Sequence, residues 1–267
     1  MRRTVLGLVV LSTALTGTLA VAGPAPGAAP AGALPRSPEL SVASRLADRR
    51  SLVVGDRFWG MGAQDGSYPA TGFHTRGEMG GFWTPPVKLL DGIWFKAGGS
   101  WLTASRYTSG WGYQRMDLGT HNGVRITRTD FAPDGLRAGL VALRLDASTA
   151  TTLPIAVDAH SELMKVYPWG ATTPSQSTYN LPDTGAVSGG SLLFREDGRP
   201  PVANAETHHY AALVGSSLTP ASTSLGPDHR GPQDPANVCR WPDRVVRGGR
   251  LRPRGRRRAG RPDHGAA

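Results

Sequence analysis

Apolar and polar residues alternate with period two along much of this chain. In "RAGLVALRLDA", Val141, Leu143 and Leu145 fall on one side, with Ala142, Arg144 and Asp146 on the other. "TLPIAVDAHSELM" repeats the pattern: Leu153, Ile155, Val157 and Ala159 stand against Ala156, Asp158, His160 and Glu162. Period two puts successive side chains on opposite faces of an extended backbone, so each stretch predicts a half-buried strand. The polar "DASTATT" between them predicts antiparallel neighbours. "GIWFKAGGSWLTA" predicts a hairpin bending at Gly98-Gly99, where positive φ costs glycine little. Shorter strands are expected in "SLVV" (Ser51–Val54), "GVRITRTDF" (Gly123–Phe131), "SLLFRE" (Ser191–Glu196) and "HHYAALVGSSL" (His208–Leu218). No stretch sustains the three-four apolar spacing of a helix. Many short strands with Gly, Pro and Asn turns predict an all-β fold, an antiparallel β-sandwich.

The amino terminus breaks this pattern. Arg2 and Arg3 precede an uncharged apolar run from Val5 to Ala20, and Ala20-Val21-Ala22 supplies small residues for cleavage. That arrangement predicts a signal peptide over 1–22, cut after Ala22, and a secreted, extracellular product with no membrane attachment after cleavage. The Pro/Ala/Gly-rich stretch that follows has too little apolar side-chain volume to fold, so 23–45 is expected to be a disordered linker. The sandwich is expected over 46–239, long enough for one sizeable core.

Charge changes the picture at the other end. The net charge of +10 reads at first as a polyanion binder. From Arg240 onward, however, ten Arg face only Asp243 and Asp263, and Arg2 and Arg3 account for the remainder of the excess. The body is electrically balanced. An exported chain has little use for a nucleic-acid arm, and the tail has no aromatic residue past Trp241 to stack on bases. Arg, Gly, Pro and Ala are what GC-rich DNA encodes in a shifted frame, so 240–267 is expected to be a disordered, out-of-frame tail rather than a nucleic-acid site. A cationic tail binding polyanions is the remaining alternative. The single cysteine, Cys239, is either a lone thiol or one whose partner lay downstream in the original frame.

Three constellations could carry chemistry. Asp158, His160 and Glu162 share one face of one strand, roughly 7 Å apart in successive steps, a spacing open to a metal or to acid/base work. A solvated edge face accounts for the same pattern, and no metal is expected there. The stretch from Phe58 to Tyr113 is dense in rings (Phe58, Trp59, Tyr68, Phe73, Phe82, Trp83, Trp94, Phe95, Trp101, Tyr107, Trp111, Tyr113), which either pack the core or stack on sugars. Asp65, Glu78, Asp91, Glu162 and Glu196 are scattered carboxylates, and no spacing among them singles out a glycosidase pair. The chain has no G-x-S-x-G elbow, phosphate loop, H-E-x-x-H or C-x-x-C. The sequence therefore assigns no catalytic residue, sugar-binding residue, metal ligand or cofactor.

Four blocks carry a resemblance: "WTPPVKLLDGIWFKAGGSWL" (Trp83–Leu102), "TRTDFAPDGLRAGLVALRL" (Thr127–Leu145), "VDAHSELMKVYPWG" (Val157–Gly170) and "HRGPQDPANVC" (His229–Cys239). Together they resemble the amino-terminal region of secreted bacterial glycogen debranching proteins, which are similar to six-hairpin glycosidases. The resemblance implies a supersandwich-like β-sandwich that precedes an (α/α)6 barrel bearing the catalytic carboxylates. It runs from about Leu46 to Cys239 and stops where the arginine-rich tail starts. It thus implies a glycoside hydrolase sandwich truncated ahead of its barrel. Its normal partner would be a C-terminal catalytic domain, with carbohydrate as the substrate class. A stand-alone secreted carbohydrate-binding sandwich is the alternative.

Overall fold

A computed structural model of the chain describes residues 2–12, 38–71, 79–165, 180–226 and 239–246, with backbone alone for the first and last of these. In chain order the strands are β1 (Arg2–Ser12), β2 (Leu40–Val42), β3 (Arg50–Val54), β4 (Trp59–Ala63), β5 (Gly81–Thr84), β6 (Val87–Ala97), β7 (Ser100–Trp101) and β8 (Arg106–Gly110). They continue as β9 (Tyr113–His121), β10 (Val124–Phe131), β11 (Ala138–Ala147), β12 (Leu153–Lys165), β13 (Thr184–Ser188), β14 (Ser191–Gly198), β15 (His208–Ser216) and β16 (Cys239–Val246). A single 3-10 turn, Leu46–Asp48, precedes β3.

These strands form two antiparallel sheets. The first has nine strands in the order β13-β14-β15-β1-β11-β10-β9-β8-β2, and the second follows β16-β12-β6-β5-β4-β3, with β7 paired to β6. Alternation along each strand explains why the sheets face each other. Val141, Leu143 and Leu145 of β11 and Ile126 of β10 point inward, where they meet Ile93, Phe95, Ile155 and Val157 of the second sheet in one continuous core. The expected all-β sandwich is thus the fold.

β11 and β12, expected to pair with each other, do not. β11 pairs with β10 and β1, whereas β12 pairs with β6 and β16, so the connection between them crosses from one sheet to the other. Both strands carry one apolar face, and stacking the two faces across the sandwich buries both at once. Side-by-side pairing would not.

Three boundaries differ from expectation. Residues 38–45, assigned to the linker, include β2, which pairs with β8 and is tied down by Arg115 to Glu39 and by Ser41 Oγ to Thr108 Oγ1 at 2.8 Å. An edge strand needs only backbone partners, so poor apolar content did not prevent it. The apolar run of the expected signal peptide is placed as β1, inside the nine-stranded sheet. The first residues of the expected disordered tail, Arg240–Val246, continue β16 alongside β12; residues 247–267 lie outside the described residues.

Candidate functional site

The described charged groups that leave solvent gather mainly in two places between the sheets. One is central. Arg128 and Asp130 lie on the inward side of β10, both 2 % exposed, with Arg128 Nε donating to Asp130 Oδ1 at 2.8 Å. Gln114 of β9 donates to the other Asp130 oxygen at 2.9 Å, and Arg128 Nη2 donates to the Tyr68 hydroxyl at 2.6 Å. The guanidinium also lies over the Phe95 ring, 5.2 Å from its centroid. Burial pushes the Tyr68 hydroxyl up to about 12. Each member holds another, and this network fixes how β9, β10 and the Tyr68 loop meet.

The second centre lies where the apolar core runs out. Along β14, Leu192 and Phe194 belong to the core, and Glu196 occupies the next inward position at 0 % exposure. Along β15 the inward positions are His208, Tyr210, Ala212 and Val214, with the rings of His208 and Tyr210 4.7 Å apart and tilted by 32°. Glu196 Oε1 and His208 Nδ1 share a hydrogen bond, and the Leu181 N–H donates to Glu196 Oε2 at 3.2 Å. From the facing strand, the Leu163 N–H donates to Asp183 Oδ2 at 3.1 Å. Asn180 Nδ2 donates to Glu162 Oε1 at 3.1 Å. Segment 180–183 is thereby stapled to both sheets. Lys165 and Glu206 form an ion pair at the rim.

Three carboxyl groups in one buried region cannot all hold a negative charge cheaply. Glu196 yields: burial first, then the neighbouring Asp183, push it up to about 9, with Glu162 adding to the shift and the Leu181 N–H opposing it. His208 moves the other way, held below its ordinary value by burial and then by Lys165. The two shifts agree on a neutral pair, in which protonated Glu196 donates to an unprotonated Nδ1. Burial and Glu196 raise the Tyr210 hydroxyl to about 12. A carboxyl held neutral by burial and by neighbouring carboxyl groups is the kind of environment that makes a general acid. Here, however, Glu196 and Glu162 are 0 % and 1 % exposed, so the pair has no face open to a glycoside in this conformation.

The row of Asp158, His160 and Glu162 is broken. Ladder pairing between β12 and β6 shifts between His160 and Ser161 and again between Ser161 and Met164. A bulge inserts a residue and re-aims the side chains beyond it. Before it, Ile155, Val157 and Ala159 enter the core, while His160 packs on Trp94 with ring centroids 4.5 Å apart. Beyond it, Leu163 joins the inter-sheet core and Met164 joins Trp59 and Trp83 in a separate cluster, and Glu162 sits within electrostatic reach of Glu196. β12 is also flanked on both sides, so Asp158 is buried rather than on a solvated edge. Its Oδ2 lies 3.8 Å from His160 Nε2, and its Oδ1 has no hydrogen-bond partner among the described residues. Among the described residues no group of three or more His, Cys, Asp or Glu is arranged to hold a metal ion.

The other candidates disperse. Asp65 accepts from the Ser67 N–H and hydroxyl within one turn, and Asp91 pairs with the buried Lys88. Glu78 and Phe73 lie outside the described residues. Phe58, Phe82, Phe95 and Tyr107 are core residues, Trp83 stacks on Trp59, and Tyr113 donates to Glu39. Trp101 and Trp111 remain exposed, at 51 % and 76 %. The sequence reading missed Asp183, which sits in the loop ahead of β13 and carries no periodic mark, and His208, whose only prior mark is a polar residue continuing the inward row of β15. Compared with known proteins, the chain matches no family model and no curated protein sequence.

Proposed function

We propose that this chain is the amino-terminal sandwich of a secreted glycoside hydrolase of the glycogen-debranching type, a companion domain whose catalytic carboxylates lie outside it. The observation that carries the reading is where the resembling blocks fall. Trp83–Leu102 covers the second half of β5 and all of β6 and β7, and Val157–Gly170 enters through β12, so one pair of blocks contributes to the adjacent strands β5, β6 and β12. Thr127–Leu145 builds β10 and β11, adjacent in the facing sheet. Within the described residues, three of the four blocks therefore fall mainly on adjacent strands, while the fourth, His229–Cys239, lies outside them except for Cys239 at the start of β16. The buried state of Glu162, Asp183 and Glu196 supports a structural rather than hydrolytic use of the carboxylates present.

The test is to sequence the gene across codon 239, restore the reading frame, and assay reducing sugar released from glycogen and pullulan. Activity in the restored product, absent from residues 23–267 alone, is the expected result. Hydrolysis by residues 23–267 that disappears in Glu196→Gln or Glu162→Gln overturns it.

A second reading, a stand-alone carbohydrate-binding sandwich, draws support from the exposure of Trp101 and Trp111. Trp111 lies in the turn entering β9, whereas Trp101 follows the Gly98-Gly99 bend, which adjoins Asn122 just past the other end of β9. The length of β9 puts the two rings roughly 25–30 Å apart, so they offer two small contacts rather than one platform.

A further inference from the structure

The nine-stranded sheet presents an apolar row on the face turned away from the core. Residues directly opposite in a ladder share a face. The pairs Gly110↔Tyr113, Tyr113↔Phe131 and Phe131↔Leu140 run across β8, β9, β10 and β11. Their neighbours Gln114, Asp130 and Val141 point inward and are buried, whereas Tyr113 and Leu140 are half-buried and Phe131 is 37 % exposed. A solvated sheet face usually reads polar. Here two rings and a leucine stand side by side, and Trp111, exposed in the turn between Gly110 and Tyr113, flanks them.

Tyr113 is laid down on the sheet. A Cβ on Gly110 would stand 2.6 Å from the Tyr113 hydroxyl oxygen and closer still to Cζ and Cε1, so the ring fills space that only glycine leaves open. The hydroxyl donates to Glu39, just ahead of β2. Arg115 holds both Glu39 oxygens in turn, at 3.1 Å from Nη1 and 2.8 Å from Nη2. The ring is therefore fixed before any ligand arrives, which lowers the ordering cost of binding to it. The next outward row is polar: Ser41, Thr108, Arg115 and Thr129 lie opposite one another in turn, with Ser41 and Thr108 joined through their hydroxyls.

We propose that this strip binds a neutral sugar chain, with pyranose C–H faces on Tyr113 and Phe131 and hydroxyls on the Glu39–Arg115 pair and Thr129. Ring faces give a sugar its apolar contact, and adjoining donors and acceptors take its hydroxyls. Size argues against a protein partner. From Gly110 to Leu140 the row spans about 14 Å and is about 7 Å deep. Its area is on the order of 100 Å², against the roughly 800 Å² that each partner gives a standard protein interface. Charge argues against an acidic ligand, because the guanidinium in these two rows is already matched by Glu39. The proposal gives the carbohydrate-binding reading a site of its own. It does not depend on the glycoside hydrolase reading, whose test is hydrolysis and not binding.

The test titrates the full chain with maltohexaose, cellohexaose and a galacturonic acid hexamer by calorimetry. At least one of the two neutral hexasaccharides should bind. Tyr113→Ala and Phe131→Ala should each weaken that binding about fivefold to tenfold, the loss of one ring contact. Gly110→Ala carries the sharper expectation. It removes no side chain that faces the ligand, yet its methyl lifts the Tyr113 ring off the sheet. Affinity should fall about threefold or more while the melting temperature stays within about 2 °C of the unaltered chain. If Tyr113→Ala fails to fold, Gly110→Ala and Phe131→Ala decide. No binding of either neutral hexasaccharide up to about 10 mM, or binding of the galacturonic acid hexamer alone, overturns the proposal. Affinity unchanged in Gly110→Ala and in Phe131→Ala overturns it as well. Self-association of the chain that Phe131→Ala abolishes would put a second copy on the strip and overturn the assignment to a sugar.

Discussion

Glu196 on β14 stands directly opposite Tyr210 on β15, yet its carboxyl reaches diagonally to the ring of His208, two residues away, and bonds Nδ1 inside the sandwich. The pair closes the end of the core that apolar side chains leave open. It does so without charge: the raised Glu196 and the lowered His208 describe one proton on the carboxyl and none on Nδ1.

A pH dependence follows from that proton. The folded chain keeps it up to about 9, whereas the unfolded chain releases it near the ordinary 4.5. Between those values the folded state binds more protons, so this group makes stability fall as pH rises, with the floor reached above about 9. Glu196→Gln keeps a donor for His208 and an acceptor for Leu181 but cannot ionise. Urea midpoints measured from pH 5 to 10 should decline less in Glu196→Gln than in the unaltered chain. At pH 9 the variant should melt higher, by roughly 2–4 °C for each kcal/mol recovered. Parallel pH profiles would mean that Glu196 is ionised in the fold.

Removing Asp130 should damage the sandwich more than removing the whole buried pair. Asp130→Ala leaves the Arg128 guanidinium with Tyr68 but without its counter-charge, a loss of about 3–5 kcal/mol in equilibrium unfolding. Arg128→Met with Asp130→Leu substitutes apolar volume for both charges and should cost less than about 2 kcal/mol. A double substitution as harmful as Asp130→Ala would show that the network does more than neutralise itself.

Gly81 and Gly99 both have positive φ, at 82° and 89°, but their surroundings separate them. A Cβ on Gly81 would stand 1.9 Å from the Leu90 carbonyl oxygen, whereas one on Gly99 meets nothing within 4 Å. Gly99→Ala should therefore cost only the backbone strain, about 1–2 kcal/mol. Gly81→Ala must also push β5 off β6 and should exceed about 4 kcal/mol or abolish soluble expression. Thermal melts of the two variants decide it, and equal losses would refute the close approach.

If the exposed tryptophans touch glucan, they do so separately. Affinity electrophoresis in glycogen gels should show Trp101→Ala and Trp111→Ala acting independently, with the double variant losing the sum of the single effects. A single substitution that removes all retardation would point to one concentrated site instead. Either substitution should leave stability within about 0.5 kcal/mol, as for other surface positions.

Period-two alternation by itself determined the class of fold and about half of its described strands, because a half-buried strand writes its burial into every second residue. It placed Val141, Leu143 and Leu145, and likewise Ile155 and Val157, on buried faces without reference to their partners. Tertiary structure decided which faces meet. β11 and β12 carry interchangeable patterns, and only the packing of one sheet on another put them in different sheets. It also decided the fate of polar residues on the inward rows. Glu196 and His208 each looked like an ordinary strand residue, and Glu162 looked like the end of an outward row, because a bulge leaves no mark on hydrophobic periodicity. Charge, hydrogen bonding and burial at that end depend on strands far apart in sequence. The cluster of Glu162, Asp183, Glu196 and His208 therefore exists only once the two sheets have closed.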